Sequence, residues 1–414
     1  MRIKNYLSGK IVVPFVFIFL FTLSLFLDKP MNTLIGYFNI LTSSGLLISD
    51  YLHIGGLSAS LFNVASLLLV YFSLINHLQI KVTGPIFAGL FTIAGFAFFG
   101  KNLVNTLPLL SGIYLYSLYH KIDIRNVMII ILFSTGISPL VSFTMFDSGI
   151  NLIYSIPLGI FLGVFTGFIL PPFVAHTVKF HSGYDLYNIG FAMGILALIY
   201  TAGFKAFGII VSPVNLISVD YHWILFSVLL LFSASFIIIA YMIDNSVHTA
   251  YTLILEKSGR LVTDFIREAG LAPALLNIGL MGFLSLIIVL VLNIKISGPV
   301  IGGILTVMGF SAFGKHPKNS VPVMLGVTAA AFLSHYTLNS ASVVIAIFFG
   351  TALAPISGKY GPVIGFFAGF VHFFVVQATS PFQGGFDLYN NGFAAGFVAA
   401  VFVPILESFR KEEE

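Results

Sequence analysis

Charge is scarce in this 414-residue chain, with 19 Lys and Arg and 15 Asp and Glu, together 8% of the residues. A soluble domain carries roughly 25% charged residues, so a water-facing surface of this size is excluded. Soluble enzymes, nucleic-acid binders and disordered scaffolds go with it. Cysteine is absent, which excludes disulfides, thiolate metal sites, iron–sulfur clusters and thiol nucleophiles. No basic stripe accompanies the net charge of +4, so no nucleic-acid partner is expected. No Gly-rich phosphate loop, nucleophile elbow or His–Glu zinc motif occurs. The 10 histidines show no metal spacing, and neither a metal nor another cofactor is expected.

What is present is apolar. Hydrophobic residues make up 58%, with 45 Phe, 39 Gly and 17 Pro, and mean hydropathy is +1.03. Runs near 20 residues repeat along the chain, the signature of an all-α polytopic membrane protein. Arg2, Lys4 and Lys10 before the apolar run 11–27 look like a signal peptide, but the run ends in Leu27-Asp28-Lys29-Pro30 without a small-residue cleavage site. A retained transmembrane helix is expected there.

The chain repeats itself. Residues Ser44–Pro108 align without a gap to Ser258–Pro322 at an offset of 214, most densely at Ile80-Lys81-Val82-Thr83-Gly84-Pro85 and Ile294-Lys295-Ile296-Ser297-Gly298-Pro299. At an offset of 202, Gly183-Tyr184-Asp185-Leu186-Tyr187-Asn188-Ile189-Gly190-Phe191-Ala192-Met193-Gly194 matches Gly385-Phe386-Asp387-Leu388-Tyr389-Asn390-Asn391-Gly392-Phe393-Ala394-Ala395-Gly396. Two halves, 1–206 and 207–414, follow. Each reads as seven apolar segments: 11–28, 57–76, 84–100, 104–120, 126–145, 151–175 and 185–203, then 223–243, 271–292, 298–314, 320–335, 341–356, 361–377 and 387–406. The third of each half is short and glycine-rich, opened by Thr83-Gly84-Pro85 or Ser297-Gly298-Pro299.

Seven spans per half invert the second repeat, and six keep the repeats parallel. With seven, and both termini in the cytoplasm, Lys and Arg divide 15 inside to 4 outside; with the short segments re-entrant the best division is 12 to 7. The positive-inside rule favours seven. The expected fold is therefore two inverted-topology repeats of about seven transmembrane segments each, with short Gly/Pro-broken helices, in a bacterial cytoplasmic membrane. Such helices at matching places are pointers to a transport site near the midplane, because freed backbone groups are tolerated only where they line a cavity.

An ionisable group at bilayer depth costs several kcal/mol unless paired or hydrated, so each repeated polar residue is a candidate. Asp185, Tyr187 and Asn188 with Asp387, Tyr389, Asn390 and Asn391 offer carboxylate and amide to a solute or ion. Asp and Asn at i and i+3 share a face if helical; the plainer reading is a helix cap. Asn63 and Asn277, inside apolar runs, either line a pore or bond neighbouring helices. Lys101 and Lys315 end the short segments, where they would gate or recruit a solute at each mouth or simply favour a helix C-terminus. Asn105 and Asn319 follow four residues later. Asp50 and Asp264 precede the second segments and are candidates for proton or sodium coupling, against solvated carboxylates on interfacial helices.

Over its whole length, and in the Gly-Phe-Asp-Leu-Tyr-Asn-Asn-Gly-Phe-Ala-Ala-Gly block above all, the chain resembles a duplicated family of bacterial membrane proteins of unknown function, which implies an architecture and no activity. Tyr187-Asn188-Ile189-Gly190 and Tyr389-Asn390-Asn391-Gly392 are also similar to the Gly-Tyr-Asn-Gly element of urea transporters, inverted-repeat pores for small neutral solutes. That resemblance implies Asn188 and Asn390 near a permeation path. Asp185 and Asp387 depart from it, and the Asn-Pro-Leu-Ser-Gly stretch of those transporters is missing.

The expected function is transport of a small polar or charged solute across the bilayer between two inverted halves, without enzymatic chemistry. A proton- or sodium-coupled transporter and a channel-like facilitator are both open, as is a homo-oligomeric state. An intramembrane enzyme acting on a lipid-linked substrate is the alternative from another class; it would need one dense asymmetric cluster of acid and base groups rather than mirrored pairs.

Overall fold

The computed structural model describes residues 20–409 except Pro213, and the named elements among these are all helices. Eight helices are long and apolar enough to cross a bilayer, or nine if the pair Ile124–Ile137 and Pro139–Phe146, bent by 43°, is one span. They are Gly56–His77, Leu152–Thr177, Asn188–Ala206, His222–Ile243, Leu271–Val291, Ala341–Tyr360, Pro362–Gln383 and Asn390–Ser408. Most of the first segment, 11–28, lies outside the described residues.

Four sequence segments form shorter helices. Leu103–Tyr119 and Pro317–Leu333 have 17 residues each and carry Pro108 and Pro322 in equivalent places. The glycine-rich segments form helices of only 13 residues, Gly84–Phe96 and Gly298–Phe310. At 1.5 Å per residue these span about 20 Å, against an apolar core of about 30 Å. Fourteen full-length helices are therefore not formed; turns at 97–102 and 311–316 continue the two short helices instead. Two helices outside the seven-segment reading, Pro30–Leu41 and Val247–Leu255, precede Asp50 and Asp264.

Equivalent helices pair in equivalent ways. Leu103–Tyr119 packs on Leu152–Thr177, as Pro317–Leu333 packs on Pro362–Thr379. Glycines allow these contacts: a Cβ on Gly112 would lie 2.0 Å from the Val164 carbonyl oxygen, and one on Gly326 1.9 Å from that of Phe366. In lipid, where helix association depends on close packing rather than on hydrophobic burial, such small residues set the interface.

The two halves meet along two helix pairs. Asn188–Ala206 and Asn390–Ser408 touch at their first turns, Gly190 against Gly392. The short helices cross antiparallel: Gly84 abuts Ala312 and Phe313, Gly95 abuts Gly302, and Gly298 abuts Phe98. All 13 residues of the second short helix are buried, but Pro85, Phe87, Leu90, Phe91 and Ala94 of the first are partly exposed.

Candidate functional site

The crossing of the short helices is stapled at both ends by the segments around Asp50 and Asp264. Tyr51 N–H donates to the Phe98 carbonyl, and Phe265 N–H to that of Ala312 (2.8 and 3.2 Å). Asp50, just before Tyr51, accepts from Gly298 N–H at the start of the second short helix (3.1 Å). Asp264 accepts from Gly84 N–H at the start of the first (3.1 Å). Proline in the first turn leaves few donors there, and a carboxylate suits the positive helix end. Asp50 and Asp264 thus cap helices 248 and 180 residues away in sequence. Neither is a solvated carboxylate, since they are 0% and 8% exposed.

The C-terminal turns are held just as symmetrically. Asn63 donates its amide N–H groups to the Ala97 and Lys101 carbonyls, both at 2.8 Å. Asn277 donates to those of Ser311 and Lys315, both at 2.7 Å. Both amides are spent on backbone, which identifies packing rather than pore lining as their part. Asn105 and Asn319 close capping boxes with Asn102 and His316 and donate to the Gly100 and Gly314 carbonyls, both at 2.9 Å.

Lys101 and Lys315 are not at the mouths. Both are fully buried, and each ammonium donates to a tyrosine hydroxyl of the other half, Lys101 to Tyr389 and Lys315 to Tyr187. The Lys101 Nζ lies 4.5 Å from the Tyr389 ring and 4.8 Å from Phe96. That of Lys315 lies 4.5 Å from Tyr187 and 5.0 Å from Phe310. Cation–π contacts of this kind are worth about 2 kcal/mol when desolvated. Among the described residues the ion pairs are Arg125–Asp123 and Lys257–Glu268, so neither buried lysine has a carboxylate in contact.

Asp185 and Asp387 precede their helices rather than ride on them, because the helices begin at Asn188 and Asn390. Each carboxylate accepts from the N–H two residues on, Tyr187 and Tyr389 (2.8 and 2.9 Å), and leaves Oδ2 without a hydrogen bond. Asp and Asn therefore do not share a face. Asn188 bonds His181, Thr177 and the Val174 carbonyl; Asn390 bonds Ser380, and Asn391 bonds His372 and Asn390. Gly183 and Gly385, both at positive φ, turn each block so that its carbonyl accepts from the opposite half, from Leu261 and Leu47 N–H at 3.1 Å.

Between these paired elements lies a cavity of about 310 Å³, within the range of ligand sites, walled by Phe96, Phe133, Tyr187, Phe310, Phe349 and Tyr389. Thr92, Thr306, Asn188 and Asn391 also line it. The six rings form a chain of contacts between the halves, Phe96 edge-on to Tyr389 (4.8 Å) and Phe310 edge-on to Tyr187 (4.6 Å). This aromatic cage is the feature sequence reasoning missed: Phe133 and Phe349 lie outside both aligned blocks, and phenylalanine is too common here to stand out.

The cavity reaches one mouth only. Pro85, Leu261, Val262 and Phe313 line it, whereas their counterparts Pro299, Leu47, Ile48 and Phe99 do not. Val262 is 93% exposed. At the opposite mouth the connection between the halves forms a strap: Ile48 N–H donates to the Val214 carbonyl (2.7 Å), Leu216 N–H to Ile48 (3.0 Å) and Asp50 N–H to Leu216 (3.1 Å).

The chain belongs to a family of proteins of unknown function, DUF1576, whose model matches it twice, over residues 29–206 and 243–408. No curated protein and no solved structure matches it, so the likeness to urea transporters rests on its two short stretches alone.

Proposed function

We propose that the protein is a membrane transporter without enzymatic chemistry that moves a small solute by alternating access between two inverted repeats. The observation that carries this reading is the cavity at the crossing of the two short helices, reached from one mouth and strapped shut at the other. A channel would be continuous, whereas a site between symmetric halves, open to one side, is one of two exchangeable states. The antiparallel crossing of equivalent helices supports inversion, because parallel repeats would set them in the same direction. Lys81, Lys179, Lys257, Arg260 and Arg267 lie toward the open mouth, and the positive-inside rule makes it cytoplasmic.

The wall chemistry narrows the solute. Six aromatic rings and few polar groups suit a molecule with an apolar body, and the unpartnered hydroxyl of Thr306 suits a polar end. The ammonium groups of Lys101 and Lys315 already occupy ring faces, which disfavours an organic cation. The polar or charged solute expected from the sequence becomes an amphipathic, non-cationic one.

The absence of cysteine makes the test direct. Thr83 and Ser297 are equivalent residues at the open and strapped mouths, partly exposed and 2% exposed. In membrane vesicles, an impermeant maleimide is expected to label Thr83→Cys quickly from the cytoplasmic side. It should label Ser297→Cys slowly but completely from the outside, as the minor state is visited. Fast labelling of both at once would show a pore, and no labelling of Ser297→Cys over hours would show a fixed cavity. Either result overturns alternating access.

A further inference from the structure

Asp50 joins three elements with one carboxylate. Its Oδ1 accepts from Leu52 N–H (2.9 Å), and its Oδ2 from Gly298 N–H of the second short helix and Ser218 N–H of the strap, both at 3.1 Å. Asp264, its counterpart at the open mouth, accepts from Gly84, Ile266 and Arg267; among the described residues no strap reaches it. The strap packs Ile209, Val211 and Val214 onto the core, so Asp50 is 0% exposed beneath it.

The charged groups around Asp50 are His53 on its own segment, Asp220 on the strap, where it accepts from Ser218 Oγ, and Lys295 before the second short helix. His222 accepts from Ile296 N–H, and Lys101 beyond the first short helix turns its ammonium to Tyr389. None forms an ion pair with Asp50. The carboxylate is therefore buried without a counter-ion, and removing the strap would hydrate it.

We infer that the strap is the gate of the outer mouth and that a proton bound by Asp50 holds it shut. This rests on the alternating-access reading and adds its coupling chemistry. A carboxylate that is buried when the gate is closed and hydrated when it is open binds its proton more tightly in the closed state. Burial pushes the Asp50 pKa up from 3.8 to about 6, against the three N–H donors and His53, which lower it. The closed gate accordingly keeps this contribution in full below about pH 4 and loses it as pH rises through about 6. Acid outside closes the mouth, and neutral pH releases it.

The experiment is the ratio of Ser297→Cys labelling from the outside to Thr83→Cys labelling from the cytoplasmic side, in vesicles of opposite orientation bathed at the same pH, which corrects for the pH dependence of the thiol–maleimide reaction. Between pH 5 and pH 7 the ratio is expected to rise on the order of tenfold, and to be flat in the Asp50→Asn background. The rise should survive His53→Asn, Asp220→Asn and His222→Asn, which removes the neighbouring titrating groups as its source. If Asp50→Asn does not fold, Ser218→Pro deletes the strap's donor to Asp50 and should make labelling fast at both pH values. Slow labelling that is flat with pH, or that speeds up in acid, overturns the proton latch and leaves alternating access standing. No labelling at any pH overturns both.

Discussion

The two mouths are built from the same repeated sequence and differ in one added element. At each, an aspartate of one half caps a short helix of the other, an aromatic residue pairs with that crossing, and a glycine-turned block docks from the opposite half. Residues 214–218 of the connection cover one of them, and no described residue does the same at the other. On the alternating-access proposal, repetition supplies the scaffold in which either mouth can close, and the strap supplies the bias between them. A symmetric device has equal populations of its two states; roughly 1.4 kcal/mol on one side makes that ratio tenfold (ΔG = RT ln 10).

The hardest blow to this comparison falls on the elements that the mouths share. Asn63→Leu and Asn277→Leu each leave two buried carbonyls without donors at the end of a short helix. An unsatisfied buried group costs about 1–3 kcal/mol, so each variant is expected to lose about 2–6 kcal/mol in denaturant unfolding in detergent. Asn277 also accepts from the Tyr251 hydroxyl (3.1 Å), while the Asn63 Oδ1 has no partner. Asn277→Leu should therefore be worse by about 1 kcal/mol, and Tyr251→Phe should remove that excess. If one half tolerates the change, the two crossings are not equivalent and the scaffold is not symmetric.

A smaller change separates the strap from the scaffold. Leu216→Pro removes the N–H that Ile48 accepts (3.0 Å), at a residue that is itself exposed. One hydrogen bond is worth about 1 kcal/mol, which converts to about fivefold in the population of the opened mouth. Labelling of Ser297→Cys should rise by about that factor, with Thr83→Cys unchanged. Equal acceleration at both residues would mean general loosening.

How much of this was legible in the sequence follows from distance along the chain. The duplication, most spans and the brevity of the Gly/Pro helices came from local composition and pattern. The capping by Asp50 and Asp264 did not, because an aspartate before a short helix looks local whether its partner is two residues or 248 away. The spacing of Asp185 and Asn188 fits a shared helical face as well as a cap, and only the helix start at Asn188 decides against the shared face. Lys101 and Lys315 end the short segments and so suggest a mouth or a helix C-terminus; the tyrosines that hold them buried, Tyr389 and Tyr187, come from the other half. The strap carries no repeat and no helical period, so nothing in its sequence marks it.

The smallest effect belongs to the open mouth and tests whether the bias lies wholly on the strapped side. There Glu268 accepts from Asp264 N–H (3.1 Å) and pairs with Lys257 at 2.8 Å. Both side chains are well exposed, 46% for Lys257 and 35% for Glu268, and an exposed pair contributes at most about 1 kcal/mol, screened by salt. Glu268→Gln keeps an acceptor for Asp264 N–H and removes only the charge. It should shift stability by under about 0.5 kcal/mol, less still at high salt, and leave the Ser297→Cys rate and its pH dependence where they are. A change in that distant rate would mean that the open mouth holds the strapped one shut, with the bias shared between both ends of the crossed helices instead of residing in the strap.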